Sequence, residues 1–217
     1  MTDTTPWPGP YEANGVEIYR ESFSTIRSET AADLAGMPAD AARVLVRMIH
    51  SCGMTDLATD FALQPERGQG RAAGPARRRP GAVRRADGGQ RHHPGPPAPG
   101  QRDRLHTQRT GVPELAAKLE TTRSAAAIDL WMDRLEGGVV AIGNAPTALF
   151  RLLELIRDGA PRPAAILGIP VGFIGAAESK LALSQNPLGL EYLVVHGRRG
   201  GSAMTVGAVN AIASEKE

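Results

Sequence analysis

Aromatic residues are scarce in this chain, with four Phe, three Tyr and two Trp among 217 residues. Its core must therefore be built mainly from Leu, Val, Ile and Ala. The single cysteine, Cys52, excludes an intrachain disulfide framework and fits a reducing compartment. No apolar run approaches the roughly 18–20 residues that cross a membrane. The N-terminal MTDTTPWPGPYEANG lacks the basic and apolar regions of a signal peptide. These absences lead us to expect a cytoplasmic protein. The length suits one domain with a sizeable core.

The small net charge, +2, hides an uneven distribution. Residues 67–110 carry eleven arginines against Asp87 and Asp103, a charge of +9, which leaves −7 on the remainder. The same segment has no aromatic residue, and its only large aliphatics are Val83 and Leu105. It shows no helical or strand period. By composition it buries too little surface to order itself, so we expect an acidic globular protein interrupted by a low-order Arg/Gly/Pro segment. Residues 1–10, with three prolines, read as a disordered lead.

The stretch from Val139 to Lys180 carries the clearest pattern. The β-branched run Val139–Ile142 ends in Gly143-Asn144-Ala145-Pro146. Leu149, Leu152, Leu153 and Ile156 then recur at helix spacing until Gly159. Ala164–Leu167 is a second apolar run, ending in Gly168-Ile169-Pro170-Val171-Gly172, and another helix starts near Ala176. A βαβα unit of this kind implies parallel strands and a right-handed crossover. The expected fold is thus α/β, a mostly parallel sheet flanked by helices in Rossmann-like layers, with the basic segment replacing part of the sheet. Ligands of such sheets sit at the carboxyl ends of strands, where both glycine turns fall.

The flanks add further elements. Val16, Tyr19, Phe23 and Ile26 give a helical period between about Tyr11 and Arg27. Pro38-Ala39-Asp40 starts a second helix through about Ser51, which Gly53 ends. Residues 55–63 fit either helix or strand. A helix runs around Arg123–Leu135. A last strand, Tyr192–Val195, leads into Gly197-Arg198-Arg199-Gly200-Gly201, and a small-residue helix runs from Ser202 to about Ser214.

Candidate chemistry centres on His50, which shares a helix face with Arg47 three residues away. A histidine here can serve as acid or base near neutral pH; the same spacing also suits one that only packs. Cys52 lies two residues on, where helical side chains diverge, and reads as a small buried residue. The glycine turns match neither the dinucleotide fingerprint nor the P-loop. The Gly197–Gly201 turn, with two arginines, and Arg123 at a helix start place positive charge and free N–H groups at strand ends. That arrangement suits a ligand with several carboxylates. Adjacent histidines His92 and His93 in an arginine-rich segment make a poor metal pair.

Five runs together resemble the precorrin-8X methylmutase family of cobalamin biosynthesis: IYRESFSTIR, VRMIHSCG, TTRSAAAIDLW, the Val139–Lys180 stretch with its GNAPTALF and PVGFIGAAESK, and HGRRGGSAMT. They cover residues 11–66 and 111–214. The resemblance implies an α/β homodimer that binds the macrocycle precorrin-8X and needs neither cofactor nor metal. The family's catalytic histidine, in the run R-M-[VI]-H-x-C-G, falls on His50. Its substrate-contacting serine and arginines fall on Ser22, Arg47 and Arg123, beside Ser124. The implied reaction is a 1,5-sigmatropic methyl shift from C11 to C12, giving hydrogenobyrinate, with His50 as the acid.

Residues 67–110 depart from the family, which has there an apolar strand running into C-D-A-[EQ]-M. Synonymous codons for Arg79–Asp87 exist which, regrouped by one base, read APVLCDAQ. Compatible codons continue that frame through Thr110. GC-rich DNA read out of frame yields Arg, Gly, Pro and Ala, the composition observed here. Two compensating shifts, near Glu66 and Thr110, account for the segment. Two further readings compete with an active isomerase: a tetrapyrrole-binding relic that has lost activity, and a nucleic-acid-binding protein using the segment as a basic arm. The arm lacks aromatics for base stacking.

Overall fold

A computed structural model describes residues 10–64, 83–85 and 111–214. The lead before residue 10, His92 and His93, and most of the basic segment lie outside the described residues.

In chain order the elements are helices α1 (Gly15–Glu29), α2 (Ala31–Leu34) and α3 (Ala39–Cys52), strands β1 (Phe61–Leu63) and β2 (Val83–Arg85), helices α4 (Val112–Lys118) and α5 (Arg123–Asp129), strand β3 (Val139–Ile142), helix α6 (Pro146–Arg157), strand β4 (Ala165–Gly168), helix α7 (Ala176–Ser184), strand β5 (Tyr192–Val195) and helix α8 (Ser202–Ala213). A 3-10 turn, Thr55–Thr59, links α3 to β1, and another, Met132–Arg134, follows α5.

The strand order is β1-β5-β4-β3-β2. β2, β3, β4 and β5 run parallel, and β1 pairs antiparallel with β5, with Phe61 opposite Val195. The mostly parallel α/β sheet expected from the βαβα pattern is present. β3 and β4 are buried at every residue, as strands covered on both faces must be.

Alternate side chains feed two cores. Val139, Ala141, Ala165, Leu167, Leu193 and Val195 pack with α1, α3 and α8. Val140, Ile142, Ile166 and Val194 face the opposite way, onto Ile128 of α5, Trp131 just after it, Leu149 and Leu152 of α6 and Leu183 of α7. Each fully buried Leu or Ile contributes about 1.5–3 kcal/mol, so the aliphatic core compensates for the few aromatics.

The described part of the basic segment, residues 83–85, differs from expectation. Val83, Arg84 and Arg85 form β2, in register with Val139, Val140 and Ala141. Strand pairing joins backbone N–H and C=O groups, which every residue but proline supplies, so an edge strand can form where composition gives no strand signal.

The topology places one end of the molecule at the site. The carboxyl ends of β2–β5, the end of α3, the Thr55–Thr59 turn and the starts of α6, α7 and α8 all gather at one sheet edge. α8 descends beside α3, antiparallel to it.

Candidate active site

His50 occupies the last turn of α3, which Gly53 ends with a left-handed backbone, φ 70°. Helix α1 crosses it, started by Asn14, whose side chain accepts the Val16 N–H at 3.0 Å. Tyr19, Ser22 and Phe23 sit on one face of α1, three and four residues apart, and meet Arg47 and His50 on one face of α3.

The contacts are specific. Ser22 Oγ lies 2.7 Å from His50 Nδ1. The rings of Tyr19 and Phe23 each stand 4.9 Å from the imidazole, centroid to centroid. The Arg47 guanidinium lies 5.7 Å from the Phe23 ring centre. Where Ser22 donates to Nδ1, the neutral imidazole carries its proton on Nε2, on the far side of the ring from Ser22; where Nδ1–H donates to Ser22, Nε2 is the acceptor. Burial first, and then the Arg47 charge, hold the imidazole below its ordinary pKa of 6.5. His50 is thus oriented and kept neutral in the free protein at neutral pH. A carboxylate placed against Arg47 opposes the second of these causes and raises the proton affinity of the ring.

The structure brings Ser22, Arg47 and His50 together. Arg123 and Ser124 start α5 on the opposite face of the sheet, at the same carboxyl edge. Arg123 is exposed and Ser124 half-buried. Their position is fixed by Thr122, which caps α5 through the Ala125 N–H at 3.1 Å and meets the Thr147 hydroxyl of α6 at 2.7 Å. Asp129 and Arg151 join the same two helices through a bond of 2.6 Å. Cys52 is half-buried, its Sγ 3.5 Å from the Ile49 carbonyl, and burial pushes its thiol pKa up.

Sequence reasoning misses four contributors. Tyr19 and Phe23 belong to the helical period of α1, which marks them only as core positions; their spacing from Ser22 is the signal that all three share a face. Gly207 of α8 lies so near the Arg47 carbonyl that an added Cβ would stand 2.8 Å from that oxygen. Lys180 is fully buried and donates from Nζ to the Arg199 carbonyl at 2.5 Å. Burial brings its pKa down to about 8, against an opposing attraction from Asp60.

At the same edge the turn after β5 packs on the turn after β4. A Cβ on Gly200 would lie 2.4 Å from the Ile169 carbonyl oxygen, so only glycine permits that approach. Arg199 bonds Asp56 at 2.6 Å and approaches Asp60 at 3.6 Å. Arg198 is exposed and stacks over Phe173 at 5.1 Å. Helices α6, α7 and α8 all start here without a side-chain cap bond, leaving backbone N–H groups toward the edge.

A family model described as precorrin-8X methylmutase matches residues 17–74 and 100–215. The chain belongs to the precorrin-8X methylmutase family. The precorrin-8X methylmutase of Pseudomonas aeruginosa is 50% identical over 212 residues, covering 95% of this chain and 99% of the relative. That of a Sinorhizobium species is 48% identical over 207 residues, covering 94% and 96%. A solved structure of precorrin-8X methylmutase from Thermus thermophilus superposes with a TM-score of 0.73 at 30% identity, covering 92% of this chain and 95% of that one. The break in the family match, residues 75–99, falls inside the basic segment and is narrower than the 67–110 expected from composition. Among the described residues no helix is long and apolar enough to cross a membrane.

Proposed function

We propose that this chain is an isomerase that converts precorrin-8X into hydrogenobyrinate by moving a methyl group from C11 to C12 of the macrocycle. The observation that carries the reading is the Ser22–His50 bond beside Arg47, in a chain that matches a precorrin-8X methylmutase over nearly its whole length. Substrate and product have the same composition, so the reaction consumes no oxidant and transfers nothing to or from a second molecule. His50 supplies a proton to the macrocycle from Nε2, which favours migration of the methyl with its bonding electrons. The proton is lost again when the ring system settles into the product.

His50 begins neutral, and the substrate answers this. A ring carboxylate docking on Arg47 removes the repulsion that depresses the imidazole and lets it hold the extra proton where it is used. Ser22 keeps Nδ1 engaged, so the acidic position is the one turned away from α1. The remaining work is orientation of a flexible ring. Arg123, Ser124, the arginines of the turn after β5 and the open starts of α6, α7 and α8 suit the peripheral carboxylates.

The protein acts as a cytoplasmic homodimer in this reading. Exposed apolar groups on α1 (Val16, Ile18) and in the turn after β4 (Phe173, Ile174) support assembly. Sedimentation at micromolar concentration tests it, and a monomer at every concentration removes it. The break in the family match supports the view that residues within 67–110 are translated out of frame from a family-like gene.

Incubating the purified chain with precorrin-8X tests the function. Conversion appears as a change in retention time at unchanged mass. His50→Ala is expected to slow it by about 10²–10⁴-fold, the usual contribution of a positioned acid, while product still binds. Wild-type turnover by His50→Ala sinks the reading.

A further inference from the structure

Lys180 is the only lysine or arginine that is fully buried among the described residues, and the chemistry above does not use it. It sits in α7, beneath the two turns that close the carboxyl edge of the sheet. A buried ammonium is retained only where its hydrogen bonds satisfy it. Here Nζ donates to the Arg199 carbonyl, in the middle of the Gly197–Gly201 turn. Three other contacts fix the same turn. The Gly201 N–H donates to the Ile169 carbonyl at 2.9 Å, the Gly172 N–H donates to the Arg198 carbonyl at 3.2 Å, and the Arg199 side chain reaches Asp56 and Asp60. The first two tie the turn to the one after β4. The ion pairs tie it to the segment that follows His50 on α3. Arg198 is left at the surface over Phe173, with no carboxylate bonded to it among the described residues.

We propose that Lys180 is a positioning residue for substrate: its buried ammonium holds the Arg199 carbonyl, and so sets the 197–201 turn in the shape that presents Arg198 to a peripheral carboxylate of the macrocycle. The proposal rests on the reading of this edge as the carboxylate-binding edge. Arg199 is held by its carbonyl and by its ion pairs, while Arg198 stays exposed. Without the ammonium, the part-buried Arg199 carbonyl loses its side-chain donor, and the turn relaxes toward water. Lys180 touches no reacting atom, so its loss weakens binding and leaves the proton transfer at His50 in place.

Three variants of the full-length chain test this: Lys180→Met, which keeps the bulk and removes the donor; Lys180→Gln, which keeps a donor without the charge; and Arg198→Ala. Two readouts are taken, steady-state kinetics with precorrin-8X and hydrogen exchange at the amides of 197–201. Lys180→Met is expected to raise KM about tenfold, the scale of one lost charge-assisted contact. Its kcat stays within about twofold, and its 197–201 amides exchange faster. Lys180→Gln is expected to recover most of both. A folded Lys180→Met protein with unchanged KM and unchanged exchange overturns the proposal, as does a fall in kcat at constant KM. If Lys180→Met does not fold, Lys180→Gln carries the same two criteria. Unchanged KM in Arg198→Ala instead shows that Arg198 takes no carboxylate, which overturns the role of this turn in binding. In that case faster exchange in Lys180→Met still reports whether the ammonium holds the turn.

Discussion

Gly207 lies against the main chain of Arg47, where a methyl group on its α-carbon would stand 2.8 Å from the Arg47 carbonyl oxygen and 3.3 Å from the α-carbon of Met48. The obstacle is backbone rather than a flexible side-chain tip. Helix α8 therefore sets how closely α3 sits on the sheet, and α3 carries both Arg47 and His50.

Gly207→Ala tests that dependence. Relief requires α3 and α8 to separate by several tenths of an ångström, and overpacking of this kind costs about 1–3 kcal/mol. The helical preference of alanine over glycine returns up to about 1 kcal/mol. The net expectation is a lower melting temperature and a reduced kcat, since His50 shifts against Ser22. A variant as stable and as active as wild type shows that the two helices are not in limiting contact.

Ser22→Ala removes the hydroxyl that meets Nδ1 of His50. The imidazole is then free to place its proton on either nitrogen and to turn between Tyr19 and Phe23. We expect kcat to fall about tenfold, from the cost of one lost hydrogen bond at a part-buried group, with a much smaller change in KM. Ser22→Thr, which keeps the hydroxyl, is expected to retain more of the rate. Equal kcat in Ser22→Ala and wild type removes the orienting role.

Titration of His50 has two consequences of fixed sign. Its pKa in the folded protein is below 6.5, through burial and Arg47, with the Tyr19 and Phe23 rings flanking it. The unfolded chain therefore binds the proton more readily. The stability His50 contributes is present above about pH 6.5, the unfolded value, and is lost as pH falls through that value toward the folded one. Activity moves the other way. In its proposed role as general acid His50 must carry a proton, so kcat/KM is expected to fall as pH rises through the folded pKa of the free enzyme. Arg47→Met is expected to move the His50 resonance midpoint upward in an NMR titration. A midpoint unchanged by that substitution excludes the Arg47 charge as a cause.

Nucleotide sequencing across codons 64–112 addresses the basic segment. The expected outcome is a pair of compensating insertions or deletions bounding it, with a family-like frame between them. A chain restored to that frame is expected to be more stable, because the stretch Arg79–Asp87, which contains the strand paired with β3, would read APVLCDAQ, with an apolar run and no arginine. An uninterrupted reading frame confirmed in the genome of the source excludes a sequencing error.

Much of this fold is legible in the order of its residues. The alternation of aliphatic runs with glycine turns from Val139 to Lys180 marks strands, helices and parallel direction, because a buried strand and an amphipathic helix have different periods. The three-residue spacing of Arg47 and His50 places both on one face. The antiparallel β1 is not legible, since the three residues of Phe61–Leu63 are too short to show a period, and neither is β2, whose pairing depends on backbone groups that composition does not reveal.

Local patterns in the sequence carry the α/β class and put Arg47 and His50 on one helix face, because the periods of strands and helices are local. Only the tertiary structure decided what surrounds His50. Ser22, Tyr19 and Phe23 lie about thirty residues before it along the chain, and Gly207, beside Arg47, is far beyond. Whether an imidazole is oriented, stacked or held neutral depends on groups that reach it through space. Lys180 is the clearest case: in the sequence it is one lysine in a helical run, and packing alone makes it a buried cation on the Arg199 carbonyl.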